Sequence, residues 1–208
     1  QKLANHLLAS GLLGHKALDI TLFDMAFPLK QDGRLRCITG SLTDAQNITM
    51  LARLRPDIVF HLASIVSGEA ESNFDAGWQV NMFTMWHYLE ALKALHIGSN
   101  GAYVPKIIFT SSIAGFGGPF PEQIDDTFLS VPQTSYGAQK ASCELLLSDF
   151  SRKGFVDGIS LRLPTICVRP GKANLAASSF FSGIIFCQSF MSSCGVRSSK
   201  LSFTRGLP

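Results

Sequence analysis

The chain has 208 residues, 46% of them apolar and 16% charged, with a formal net charge of +3. This composition supplies one buried core and excludes a disordered chain. Arg197, Lys200 and Arg205 carry the whole excess of charge, so residues 1–185 are balanced and present no electrostatic case for nucleic acid or a membrane surface.

In chain order, Lys2 to Ser10 places Leu3, Leu7 and Leu8 on one helical face, with Gly11 and Gly14 marking its end. Asp19–Phe23 reads as a strand closing on Asp24, and a loop through Pro28 and Gly33 leads to a second short strand, Leu35–Thr39. Thr43 is the expected cap of a helix running to about Leu54. Asp57–Ala63 is a further strand-like run. Phe74–His96 has the spacing of one long helix in Trp78, Met82, Met85, Leu89 and Leu92. Lys106–Ser112 contains the continuous apolar run Ile107, Ile108, Phe109, the pattern of a strand buried on both faces of a parallel sheet. A helix over Ser135–Ser151, a strand over Gly158–Ile166 and a short apolar helix over Ala176–Ile185 follow. Strand and helix alternate throughout, which predicts an α/β fold with a Rossmann-like doubly wound parallel sheet over residues 1–185. Residues 186–208 are rich in Ser, lack acids and keep no period, and are read as an irregular tail.

Five cysteines form no CxxC pair and no cluster with zinc spacing, so no metal is expected and the thiols read as reduced. No apolar run reaches membrane-spanning length and no charged-then-apolar leader is visible, which makes the cytoplasm the expected location.

The most specific chemistry lies in Tyr136-Gly-Ala-Gln-Lys140, preceded by Ser111-Ser112 at a strand end. Residues four apart share a helical face, so Tyr136 and Lys140 can point together into the crevice at the strand ends. A free phenol has a pKa near ~10 and a neighbouring ammonium favours the phenolate, which would let Tyr136 exchange a proton at neutral pH. Ser112 is placed to hydrogen-bond the reacting oxygen. Taken alone, such a pair also occurs as a packed ring and a solvated amine. At the end of the strand after the first helix, Asp24 stands where an acidic residue accepts from the adenosine ribose and disfavours a 2′-phosphate, favouring NAD over NADP; the plain alternative is an exposed turn residue.

The stretches Phe109-Thr-Ser-Ser-Ile-Ala-Gly-Phe-Gly117 and Pro132-Gln-Thr-Ser-Tyr-Gly-Ala-Gln-Lys140 closely resemble the active-site segments of extended short-chain dehydrogenases/reductases, the NAD-dependent epimerase/dehydratase type. The resemblance implies catalytic roles for Ser112, Tyr136 and Lys140, and a supporting role for Asn81, matched to a family Asn that bends the long helix and supports a proton relay. It further implies cofactor contacts at Ser41 and Leu42 beside the adenine, with Ser where the family commonly has Asp. Leu62, Ala63 and Ser64 fall beneath the pyrophosphate and nicotinamide ribose. Thr110, Pro164 and Thr165 lie near the nicotinamide. His61, in Phe60-His61-Leu62-Ala63, reads as a packed or capping ring.

Val66-Ser67-Gly68-Glu69-Ala70-Glu71 and Val168-Arg169-Pro170-Gly171-Lys172 resemble the branch of this family that oxidises the four-carbon sugar acid D-erythronate. This implies substrate contacts at Ser67, Ser112, Tyr136 and Arg169, Arg169 being equally readable as a surface ion pair, and oxidation at C2 of a small-molecule sugar acid. The resemblance also implies a homodimer through the helices at 74–96 and 135–151.

The family's G-x-x-G-x-x-G loop has no counterpart, because the first residues already read as the helix such a loop leads into. The expectations are truncation just after that loop, a sheet lacking its central strand, no substrate lobe, weak NAD binding and marginal stability. Residues 186–208 are expected to be a misread or alternatively spliced end. Two rival readings stay open: an NDP-sugar epimerase/dehydratase that keeps NAD bound, and an inactive fragment or interaction module.

Overall fold

The structure is a computed structural model that describes residues 2–27, 32–125 and 127–165. Arg169, the expected helix 176–185 and the tail 186–208 lie outside the described residues, as does Pro28.

Helix α1 spans Lys2–Ser10 and buries Ala4 and Leu7, while Leu3, expected on the same inward face, is exposed. The Gly11 N–H closes it by donating to Leu7 O at 2.8 Å. Strands β1 (Ile20–Asp24) and β2 (Leu35–Thr39) pair in parallel, Asp24 opposite Thr39. Helix α2 (Ala45–Arg53) is capped by Asp44, whose carboxylate accepts from Gln46 N at 2.8 Å. Thr43 is not the cap; its hydroxyl lies 2.8 Å from that of Ser41. The short β3 (Ile58–His61) ends two residues before the sequence pattern does.

Ser67–Ser72 forms a helix, α3, that the residue pattern did not announce, since Ala70 is the one residue it buries. The expected single helix over 74–96 is broken into α4 (Phe74–Trp78), a π-helical turn over Gln79–Phe83 and α5 (Thr84–Gly98). A π-turn adds one residue to the helical repeat, so the apolar spacing on either side survives almost unchanged and masks the insertion. Strand β4 (Lys106–Ser112) has the expected bounds, and a 3₁₀ turn, Ile113–Gly115, follows it. Ile107 and Phe109 are buried but Ile108, on the other face, is only half-buried, so the strand alternates rather than being enclosed on both sides. Helix α6 (Ser135–Arg152) and β5 (Asp157–Leu163) complete the described chain.

All strand pairs are parallel, but they form two sheets, β1-β2 and β3-β4-β5. These match the 3-2 and 4-5-6 flanks of the 3-2-1-4-5-6 order of a dinucleotide-binding sheet. Among the described residues no strand lies between the flanks. What joins them is helical: α2 packs on α5, and Ile48 and Ala52 share one core cluster with Leu89, Leu92, Ile107, Phe109 and Leu147. Helix α6 closes the same side, packed on α3, α5, β4 and β5. The opposite side is open at Ile159, Leu161 and Leu163, which are exposed. No described helix is long and apolar enough to cross a membrane.

Candidate active site

The site is built where β4 ends and α6 begins. Parallel pairing sets Ser112 opposite Leu163, so Pro164 and Thr165 leave β5 beside the Ser112 end of β4. The Ser112 hydroxyl oxygen accepts from Ala114 N at 3.1 Å and caps the 3₁₀ turn, which holds the side chain at the strand end. Thr134 caps α6, its Oγ1 accepting from Gly137 N at 3.1 Å, and so fixes the start of the helix at Ser135. The Gly137 backbone presses so closely on the 3₁₀ turn that a Cβ there would lie 2.1 Å from Ala114 O. The glycine thus allows the start of α6 to pack directly on the turn that follows Ser112.

Lys140, one turn along α6 from Tyr136, is 2% exposed. Its Nζ donates to Thr110 O at 2.9 Å, lies 4.8 Å from the centre of the Phe109 ring and lies 5.5 Å from that of Tyr136. Burial lowers its pKa to about 8, so the ammonium is held at the edge of its stable range. Tyr136, Lys140 and Thr110 are therefore brought together, with Ser112 two residues beyond Thr110 at the end of β4. Thr110 also donates from Oγ1 to His61 O at 3.1 Å, tying β4 to β3. His61 is buried, meets Phe109 edge-on at 5.7 Å, and has its pKa lowered to about 4 by burial, with the Lys140 charge adding to the effect. It is a neutral packed ring, not a proton carrier in the neutral range.

Asn81 sits in the π-turn, 1% exposed, and joins three elements. Its Oδ1 accepts from Ser64 Oγ at 3.0 Å and from Ile65 N at 2.8 Å, and its Nδ2 donates to Gln139 Oε1 at 2.8 Å. The loop of Leu62, Ala63 and Ser64 is thereby anchored, with Leu62 and Ala63 exposed. Ser67 opens α3, which docks on α6 through Glu71 Oε2, the acceptor of Ser135 N at 2.9 Å.

Asp24 and Ser41 lie apart from this cluster, at the end of the β1-β2 sheet. Asp24 is exposed, its Oδ1 accepting from Met25 N at 2.7 Å and its carbonyl from Gly40 N at 3.0 Å, which brings Asp24 near Ser41 and Leu42. Arg169 is outside the described residues. Two features escaped the sequence reading. One is Gln139, buried inside the Tyr136–Lys140 motif. The other is a network behind Ser112: Ser111 Oγ donates to Glu144, whose carboxylate takes a forked pair from Arg162 at 2.9 and 2.7 Å. Arg162 in turn covers the Phe116 ring at 4.7 Å. A single Glu four residues past Lys140 carries no signal of a partner on another strand. Among the described residues no group of three or more His, Cys, Asp or Glu is placed to hold a metal ion.

The NAD dependent epimerase/dehydratase family matches residues 1–185. The chain belongs to that family. Two relatives, both named D-erythronate dehydrogenase, come from Cupriavidus necator and Haemophilus influenzae. The first is 48% identical over 167 residues, 80% of this chain and 50% of that protein. The second is 45% identical over 187 residues, 89% of this chain and 57% of that protein. The chain spans about half the length of the curated relatives it matches. A crystal structure described as a nucleoside-diphosphate-sugar epimerase from Agrobacterium tumefaciens is 48% identical, with a TM-score of 0.79 over 88% of this chain and 54% of that one. UDP-glucose 4-epimerase of Thermus thermophilus, solved with NAD, has a TM-score of 0.70 at 21% identity over 92% of this chain and 58% of that one, and so speaks for the fold alone. Membership of the epimerase/dehydratase family accounts for the parallel flanks and bears out the expected family resemblance.

Proposed function

We propose that the protein carrying this chain is an NAD-dependent dehydrogenase that oxidises a secondary hydroxyl of a small sugar acid of the D-erythronate type, at C2. The observation that carries the proposal is Lys140: a buried ammonium fixed to Thr110 O and set against the Tyr136 ring, at the strand end where Ser112 sits. The names of the Cupriavidus and Haemophilus relatives support the substrate class.

The donor set fits NAD. Asp24, an exposed carboxylate at the end of β1, offers acceptor oxygens to a ribose diol, and Lys140, with three N–H donors, offers cationic donors to a second ribose. Leu62, Ala63, Ser64, Ser41, Leu42, Pro164 and Thr165 would line the remaining length of the cofactor. Bound NAD would supply the hydride acceptor. The positive charge of Lys140 stabilises negative charge on the Tyr136 oxygen, so Tyr136 takes the proton of the substrate hydroxyl as the C–H bond gives up its hydride. Ser112 donates its hydroxyl proton toward the same substrate oxygen while its own oxygen stays tied to Ala114 N, which holds the reacting oxygen within reach of the phenol. Ser67 and Arg169 are the proposed partners of the substrate carboxylate.

The test is NADH formation from D-erythronate by the intact protein, with Tyr136→Phe as the matched control. Wild type should turn over. The variant should keep NAD affinity and lose about 10²–10⁴-fold in kcat, the usual span of acid–base catalysis. A second reading, epimerisation of an NDP-sugar, has the description of the Agrobacterium structure in its favour. It requires NAD to stay bound, so net NADH release excludes it, whereas epimerised NDP-sugar without net NADH would replace the dehydrogenase reading.

A further inference from the structure

We infer that Gln139 is a positioning residue of this site, which orients Asn81 and through it the Leu62–Ser67 loop for the hydride transfer proposed above; the inference rests on that reading. Gln139 lies on α6 between Tyr136 and Lys140 but turns away from them, toward α4 and the π-turn, and is fully buried. Its Oε1 accepts from Asn81 Nδ2 at 2.8 Å, across 58 residues of sequence.

The bond does something that packing does not. An Asn amide can be turned over with little change of shape, exchanging donor and acceptor. Asn81 must present its oxygen to Ser64 Oγ and Ile65 N, and its nitrogen must therefore face Gln139. Asn81 Nδ2 has two acceptors, Gln139 Oε1 at 2.8 Å and Ile65 O at 3.3 Å, and the one on α6 is the shorter of the two bonds that fix that choice. Without it, only the long bond to Ile65 O would hold the nitrogen in place, and a flipped amide would set an N–H₂ group against the Ile65 N–H and release the loop that bears Ser64 and leads to Ser67.

Gln139 is an expensive way to fill the space. Its Nε2 is buried and finds no hydrogen-bond partner among the described residues, and an unpaired buried amide disfavours folding. Room for it exists because residue 77 is Gly: a Cβ there would lie 2.5 Å from Nε2. A Met of similar length would pack without the orphaned donor, so the acceptor oxygen is the part of Gln139 with a purpose. Because Gln139 and Lys140 are consecutive on one rigid helix, the bond also sets the loop's distance from the Lys140 ammonium.

The experiment uses the intact protein as wild type, Gln139→Met, Gln139→Glu, Asn81→Ala and the double variant Asn81→Ala/Gln139→Met, with folding of each checked by thermal melting. Gln139→Met, which keeps length and removes the acceptor, is expected to lower kcat for NADH formation by about tenfold or more and to raise the KM for NAD as well, because the released loop carries the proposed cofactor contacts Leu62, Ala63 and Ser64. Gln139→Glu, which keeps an acceptor oxygen, should recover most of that loss. In the Asn81→Ala background the Met substitution should add less than about twofold, because the partner is already gone. Wild-type kcat in Gln139→Met, or a full loss that persists without Asn81, would overturn the inference. If wild type itself forms no NADH, the proposed reaction fails and amide exchange decides the positioning role separately. Ile65 N–H should then exchange about tenfold faster in Gln139→Met with the β4 amides unchanged, and an unaltered Ile65 rate would reject it.

Discussion

Two buried titratable side chains give the site a dependence on pH that can be worked out residue by residue. Lys140 has a folded pKa of about 8 against 10.5 for the free side chain, because burial penalises its charge. Between those values the unfolded chain holds more protons than the folded one, so stability rises with pH across that window. Below it the buried ammonium costs on the order of 3 kcal/mol, at about 1.4 kcal/mol per unit. Lys140→Met removes this buried charge and is expected to abolish turnover. The melting temperature of wild type should therefore climb relative to Lys140→Met from pH 8 to 10.5, and parallel curves would contradict the burial of the charge. His61 runs at lower pH, folded near 4 against 6.5, again mainly because of burial. The fold must keep it neutral, so its stabilising share is complete above 6.5 and is lost as pH falls toward 4. His61→Leu should flatten that part of the melting profile, and a slope equal to wild type would show that the ring titrates in water.

At the scale of elements, the approach of α6 to the 3₁₀ turn after β4 is the joint on which Ser112 and Tyr136 depend. Gly137→Ala would drive a methyl into Ala114 O. The backbone must shift, and overpacking of this kind costs about 1–3 kcal/mol. The expected outcome is a folded, less stable protein whose activity falls far more than its cofactor affinity, read from melting and steady-state kinetics; unchanged kcat would mean the joint does not set the catalytic geometry. Much of this element structure was legible in the sequence. α1, β2 and β4 have their expected bounds because local period and turn residues decide them. The π-turn was not legible, since one inserted residue barely disturbs the spacing of Trp78, Met82 and Met85. Nor was α3, where Gly68 and two Glu leave no apolar stripe. At the site, the motif from Tyr136 to Lys140 revealed which side chains share a face. It could not reveal that Gln139 turns the other way to meet Asn81, or that Glu144 pairs with Arg162, because both bonds join elements distant in sequence.

Across the whole molecule, the two sheet flanks share no strand pairing among the described residues, so the packing of α2 on α5 must transmit order between them. Asp24 and Ser41 stand on the β1-β2 flank, whereas Lys140 and Tyr136 stand with β3-β4-β5. A ligand as long as a dinucleotide needs both ends at a fixed separation. Ile48, buried on α2 in the same cluster as Leu89 and Leu92, is the largest buried side chain that α2 brings to that joint. Ile48→Ala leaves a cavity at the joint and should cost about 2–5 kcal/mol. The loss should not be shared evenly. Hydrogen exchange should speed up first in Ile20–Asp24 and Leu35–Thr39, with Lys106–Ser112 still protected, because each flank keeps its own ladder. NAD affinity should fall with the protection of the β1-β2 flank, even though residue 48 is no candidate cofactor contact. Equal deprotection of β2 and β4 would show instead that the flanks unfold as one unit, and that more than the α2–α5 packing holds the adenosine end in register with the catalytic end.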